Sequence, residues 1–234
     1  NVYMLAGAGA NVTVEGGPEE LLLVDTGGPG DTTRVMAALH EVFPDARVRT
    51  IINTTSDADH VGGNAAVVEA SGGARGTASD STPGEPNQNL GVLVVSQEAA
   101  LKQMSEPAAG RSALPTDGLP GSTFFTKKKE FFSNGEVVQI LSHPGHADGD
   151  VVVFFRASEV ISAGDAWTPT RYPVIDAARG GSIQAELDAL NAIIDLAVPE
   201  RNQMGGTRII SGHGYFGNES DVVEYRDMVT VIRD

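Results

Sequence analysis

Ile52-Asn-Thr-Thr-Ser-Asp-Ala-Asp-His-Val-Gly-Gly-Asn64 is the stretch whose reading decides the fold. It follows Arg49-Thr50-Ile51, so an apolar strand runs directly into a polar segment holding two aspartates and a histidine. Gly62 and Gly63 then open a short helix, GGNAAVVEA over residues 62–70, where bare backbone can pack close to the polar loop. A strand that ends in acids and an imidazole and is followed by a helix is how layered α/β sheets present ligands at the carboxyl ends of their strands.

On the N-terminal side, NVYML and ANVTVE read as two strands joined at the glycines of AGAG, and ELLLVDTGG reads as a third. GAGAN looks superficially like a glycine-rich nucleotide loop, but no helix follows it, so it reads as a hairpin turn. Asp31 is placed to cap a helix reaching Phe43, with Val35, Met36, Leu39 and Val42 at helical spacing and His40 on its surface. On the C-terminal side, GVLVV is a strand and SQEAALKQM a helix with Ser96 as its cap. Lys127, Lys128 and Lys129 fit a solvated strand edge. The last third carries the strands GEVVQIL, DVVVFF, EVISAG and TRIIS. Helices are expected over about 182–197 and from about Ser220 onward. Two stretches rich in Gly, Pro and Ser, near 71–90 and 106–122, read as loop insertions in one domain spanning 1–234.

The bulk numbers narrow the function. A chain of 234 residues with 41% hydrophobic and 20% charged residues can bury a sizeable core. A formal charge of -15 repels phosphate backbones and acidic lipid, which makes a small-molecule substrate the expected partner rather than nucleic acid or membrane. The absence of cysteine removes disulfides, thiolate zinc sites and cysteine nucleophiles. It is compatible with cytoplasm and periplasm alike. No apolar run approaches the ~20 residues that span a bilayer.

Four of the five histidines lie just beyond strand ends. RTIIN leads to Asp57, Asp59 and His60; VVQIL leads to His143 and His146; VISAG leads to Asp165; and RIIS leads to His213. Imidazole and carboxylate without thiolate favour zinc, iron or manganese. A bound water with a pKa near ~7 is then a nucleophile at neutral pH. No G-x-S-x-G and no Walker A run competes with that reading.

INTTSDADHVGGN resembles the histidine motif of the metallo-β-lactamase superfamily, N-T-H-x-H-x-D-H-x-G-G-N. PGHADGD, SAGDAW and SGHG resemble that family's later histidine, bridging-aspartate and final histidine motifs, and residues 1–28 resemble its first three strands. The resemblance implies an α/β (α+β) fold, the four-layer αββα sandwich. It also implies metal ligands at Asp57, Asp59, His60, His146, Asp165 and His213. The chain departs from the family at the first site, where Thr55 and Asp57 replace two histidines. The second-site set, Asp59, His60, Asp165 and His213, is complete. The expectation is therefore one ion, zinc first with manganese or iron as alternatives. Asp59 would be essential to catalysis, and Asp57 would act as a ligand or as general base. Asp25 matches a family aspartate that supports the motif loop. Asp148 and Asp150 read as turn residues, and Trp167, Arg171 and Tyr172 as pocket-lining or packing residues. The resemblance implies a metal-dependent hydrolase. The alternatives are a degenerate ligand-binding scaffold, favoured by Thr55 and Asp57, and a redox di-iron protein.

Overall fold

A computed structural model of the chain describes residues 1–18, 20–73, 75–76, 91–106 and 111–234. Most of the expected insertion at 71–90, and residues 107–110 of the second, lie outside the described residues. The chain divides into two units, Asn1–Phe125 and Thr126–Asp234.

In the first unit, β1 (Val2–Ala8) and β2 (Ala10–Gly16) form an antiparallel hairpin in which Ala8 pairs with Ala10 around Gly9. Gly9 has φ 88°, a left-handed conformation that glycine adopts without a Cβ penalty, which is why AGAG turns rather than opening a helix. The remaining elements are β3 (Glu20–Val24), α1 (Thr32–Val42), β4 (Arg47–Ile52), α2 (Ala58–Val61), α3 (Asn64–Ala70), β5 (Arg75–Gly76), β6 (Val92–Gln97), α4 (Glu98–Ser105) and β7 (Ser122–Phe124). The described strands form one mixed sheet in the order β1-β2-β3-β4-β6-β5, with β7 also pairing with β6. The pairing is antiparallel through β3 and parallel beyond it. Val12 and Val14, Leu21 and Leu23, and Val92 and Val94 alternate onto one face, as the period of a strand demands. Val35 and Leu39 of α1, with Val67 and Val68 of α3, pack against that face.

Three local expectations change. Asp31 sits at the start of α1 but makes no side-chain cap; its Oδ1 accepts from Arg34 Nη1 at 3.3 Å. Ser96 is still in β6, and the cap of α4 is Gln97, whose side-chain oxygen accepts from the Ala99 amide. The histidine motif forms its own short helix, α2, and the Gly62–Gly63 pair joins it to α3.

The second unit holds β8 (Lys128–Ser133), β9 (Glu136–Ser142), β10 (Val151–Phe155), β11 (Val160–Ser162), α5 (Ile183–Leu196), β12 (Arg208–Ile210) and α6 (Glu219–Arg233). Its sheet runs β12-β11-β10-β9-β8, with β11 and β12 parallel and the other pairs antiparallel. Lys128 lies on β8, the outermost strand of this sheet among the described residues, and its ammonium reaches Glu130 at 3.1 Å, as a charged edge should. Ile161 and Ile209 from the sheet, Leu187, Leu190 and Ile193 from α5, and Val222, Tyr225 and Val229 from α6 form the core around a fully buried Trp167. Trp167 is thus a packing residue.

Helix α6 starts at a reciprocal capping box. Asn218 Oδ1 accepts from the Ser220 and Asp221 amides, and Asp221 Oδ2 accepts from the Asn218 amide. Asn218→Ala is expected to lower stability by about 1 kcal/mol, read as a shift of the urea midpoint at unchanged slope.

Candidate metal centre

In the first unit the polar loop after β4 is fastened from beneath. Asn53 and Asn64 exchange side-chain amide bonds at 3.2 and 2.9 Å. Thr26 Oγ1 donates to Asn64 Oδ1 at 2.9 Å, and Asn64 Nδ2 also donates to the Gly118 carbonyl at 3.0 Å. Asn53, Thr26 and Asn64 are all buried, so each bond is made without water competing for it. This clasp accounts for the two asparagines that bracket the motif, a role the residue pattern alone did not assign.

His60 is wholly buried on α2, and its Nδ1 lies 2.8 Å from Asp25 Oδ2. Asp25 also accepts from the Thr54 amide at 2.8 Å and the Thr54 hydroxyl at 2.6 Å. A carboxylate accepts only, so His60 carries its proton on Nδ1 and presents Nε2 as the lone-pair nitrogen. Asp25 holds this position at φ 63°, a left-handed conformation that aspartate tolerates better than most residues. Asp59, one residue before His60, can place a carboxylate oxygen within 4.8 Å of a His60 ring nitrogen. Asp57 Oδ1 accepts from Arg111 Nη1 at 2.7 Å, and Asp57 remains a candidate ligand. Thr55 is buried, and its hydroxyl has no hydrogen-bond partner among the described residues.

In the second unit, parallel pairing of β11 with β12 sets Ser162 beside Ile210, so the chains leaving the two strands stay adjacent. The Gly212 amide donates to the Gly164 carbonyl at 2.8 Å. A Cβ at Gly212 would stand 2.7 Å from Asp165 Oδ1, so only glycine permits this approach. The result is a carboxylate and an imidazole facing one another, Asp165 Oδ1 and His213 Nε2, 3.4 Å apart. Arg171 Nη2 lies 3.7 Å from the same oxygen. His146 comes from the loop after β9, which Asp150 closes by accepting from the Ala147 amide at 2.6 Å. His146 and Asp165 can bring ligand atoms within 4.8 Å of one another. Both nitrogens of His146 are engaged: Nδ1 donates to the Val174 carbonyl at 2.7 Å, and Nε2 accepts from Arg179 Nη2 at 3.1 Å. His143 is half-buried, and that burial holds its pKa below the ordinary imidazole value. Tyr172 is exposed, and Tyr215 packs edge-on against Trp167 with centroids 6.3 Å apart.

The expected residues did not include Arg111, Arg179 or Glu186. Glu186 lies in the first turn of α5, fully buried, and neither carboxyl oxygen has a hydrogen-bond partner among the described residues. Burial, aided by the charge of Asp150, pushes its pKa up to about 9. The folded chain therefore keeps this proton after the unfolded chain has lost its own near the ordinary value of 4.5. Its contribution to stability is full below that ordinary value and declines as pH rises toward 9. Glu186→Gln is expected to flatten this alkaline decline in melting temperature while matching the native protein at pH ~4.

Imidazoles and carboxylates without thiolate, set at strand ends of two mixed sheets, define a candidate metalloprotein of the α/β class. The comparisons name its family. The family model of the metallo-beta-lactamase superfamily matches residues 6–200, and the chain belongs to that superfamily. Solved structures with the same fold include a metallo-beta-lactamase from Pontibacter korlensis, at 16% identity over 98% of this chain and 93% of that one, with TM-score 0.69. The B3 metallo-beta-lactamase BLEG-1 aligns at 19% identity over 98% and 100% of the two chains, with TM-score 0.72. A metallo-beta-lactamase family protein from Thermus thermophilus gives 20%, 99%, 79% and 0.68 on the same measures. No curated protein matches the chain by sequence. Among the described residues no helix is long and apolar enough to cross a membrane.

Proposed function

We propose that the chain is a metal-dependent hydrolase acting on a small molecule, with Asp59, His60, Asp165 and His213 as the ligands of one ion. The observation that carries this reading is the Asp25–His60 pair. A buried carboxylate fixes the ring, its tautomer and its basicity, as partners of metal-bound histidines do. The donor chemistry agrees, since a carboxylate and an imidazole nitrogen at 3.4 Å form a natural pair of ligand atoms. When bound, a divalent ion supplies Lewis acidity and lowers the pKa of coordinated water. Zinc suits two imidazoles and two carboxylates, and manganese or iron also accept such a set.

The chain's own residues supply the rest. Asp25 holds His60, the Asn53–Asn64 clasp brackets the segment whose short helix α2 bears Asp59, and Gly212 lets His213 approach Asp165. Asp57, whose Oδ1 accepts from Arg111, is a candidate to accept a proton from attacking water.

Elemental analysis of unchelated protein, followed by a panel of ester, lactone, lactam, thioester and phosphoester substrates, tests the reading. One transition metal per chain and chelator-sensitive hydrolysis are expected. Absence of stoichiometric metal would remove the mechanism.

A further inference from the structure

Two residues that family resemblance assigns to a first metal site are held by arginines. Asp57 accepts from Arg111, and His146 Nε2 accepts from Arg179. The second contact is a built one. Arg179 ends a single 3-10 turn, Ala177–Arg179, whose cap is Asp176. The Asp176 carboxylate takes both the Arg179 amide, at 3.1 Å, and the guanidinium Nε, at 2.7 Å. The Arg179 carbonyl accepts from the Asp148 amide at 2.8 Å, which ties the turn to the His146 loop. Only 8% of the Arg179 side chain is exposed. Gly181 completes the fit, because a Cβ there would collide with the His146 carbonyl. With Nδ1 donating to Val174, the ring of His146 is neutral, and its one lone pair points at a cation already present.

We infer that Arg179 is the resident cation at His146, so that a guanidinium takes the place of a first metal ion and restricts the protein to a single ion. While the guanidinium is in place, His146 has no lone pair to give an arriving ion, because Nδ1 donates to Val174 and Nε2 accepts from Arg179. An ion arriving at His146 must first expel the guanidinium and then remain beside its positive charge. Arginine suits this post because it is never deprotonated, so the position stays closed at every working pH.

This inference rests on the proposed single-ion reading, and the test separates the two. Zinc, and separately manganese, is titrated by calorimetry into the metal-stripped native protein, Arg179→Met and Arg179→Lys, with bound metal counted by elemental analysis. Thermal melts check that each variant folds. Arg179→Met keeps an apolar stem and removes the charge, and it is expected to bind one ion more per chain than the native protein. Arg179→Lys keeps the charge and is expected to match the native count. The nitrogen-15 shifts of His146 should report the Nδ1-protonated neutral ring in the native protein, with Nε2 moving on zinc addition only in Arg179→Met. An equal count in native protein and Arg179→Met overturns the inference, as does a native count of two. A native count of zero with one in Arg179→Met overturns the single-ion hydrolase reading and leaves the role of Arg179 standing.

Discussion

On the proposed single-ion reading, Asp165→Asn is expected to give a folded protein that neither retains an ion nor hydrolyses substrate. The carboxylate is 8% exposed, and one oxygen faces both His213 Nε2 at 3.4 Å and Arg171 Nη2 at 3.7 Å. Asparagine reproduces the shape and removes the charge. The amide oxygen is a weaker donor to a divalent ion, and a misplaced amide nitrogen would repel it outright. Replacing a residue that only supports a ligand costs ~10–100-fold in metal affinity, so loss of a ligand itself should exceed that range. The fold should survive, because Asp165 leaves β11 through a 3-10 turn held by backbone bonds such as Gly212 to Gly164. Two measurements check this together. Added zinc should raise the melting temperature of the native protein, since an ion at ~100 times its dissociation constant stabilises by about 2.7 kcal/mol. It should leave Asp165→Asn unmoved. A variant that still responds fully to zinc would remove Asp165 from the ligand set.

The sequence made the strands and the candidate ligands legible because both patterns are local. Alternating residues such as Leu21 and Leu23, or the run Val151–Phe155, declare a strand by pattern alone. The placement of His60, Asp165 and His213 after strand ends marks them as candidate ligands. Cap residues were harder. Ser96 is a good cap by type, yet strand pairing carries β6 through Gln97 and moves the helix start by one residue. The least legible parts were the partners that lie far off in sequence. Arg111 meets Asp57 from 54 positions away, and Arg179 meets His146 from 33. An arginine in a loop carries no mark of its partner. Glu186, by contrast, carried a signal: it stands four residues before Leu190 and seven before Ile193, on the buried face of α5, whereas Asp188 and Asp195 fall on the exposed face.

Replacing Asp25 should cost more stability than any surface change in the first unit. Three donors converge on one buried carboxylate: the Thr54 amide, the Thr54 hydroxyl and His60 Nδ1. Asp25→Ala leaves the Thr54 amide and hydroxyl without their acceptor and leaves His60 Nδ1 only the Thr54 hydroxyl oxygen at 3.3 Å, and each orphaned group costs about 1–3 kcal/mol. Alanine must also hold φ 63°, which adds about 1–2 kcal/mol for an L side chain. Asp25→Gly separates the two causes. It loses the same acceptor but adopts the left-handed backbone without strain, so it should be the more stable of the pair. Asp25→Asn keeps one acceptor oxygen and the tolerance for positive φ, and should fall between Gly and the native protein. The expected order in urea midpoints is therefore native, Asn, Gly, Ala, with the Ala variant at least about 3 kcal/mol below native. The same substitutions release the ring of His60, so metal affinity should fall by ~10–100-fold even in the Asn variant. That second effect distinguishes a carboxylate that merely plugs the core from one that aims a ligand: an Asn variant with weakened stability and undiminished zinc affinity would assign Asp25 to the core alone.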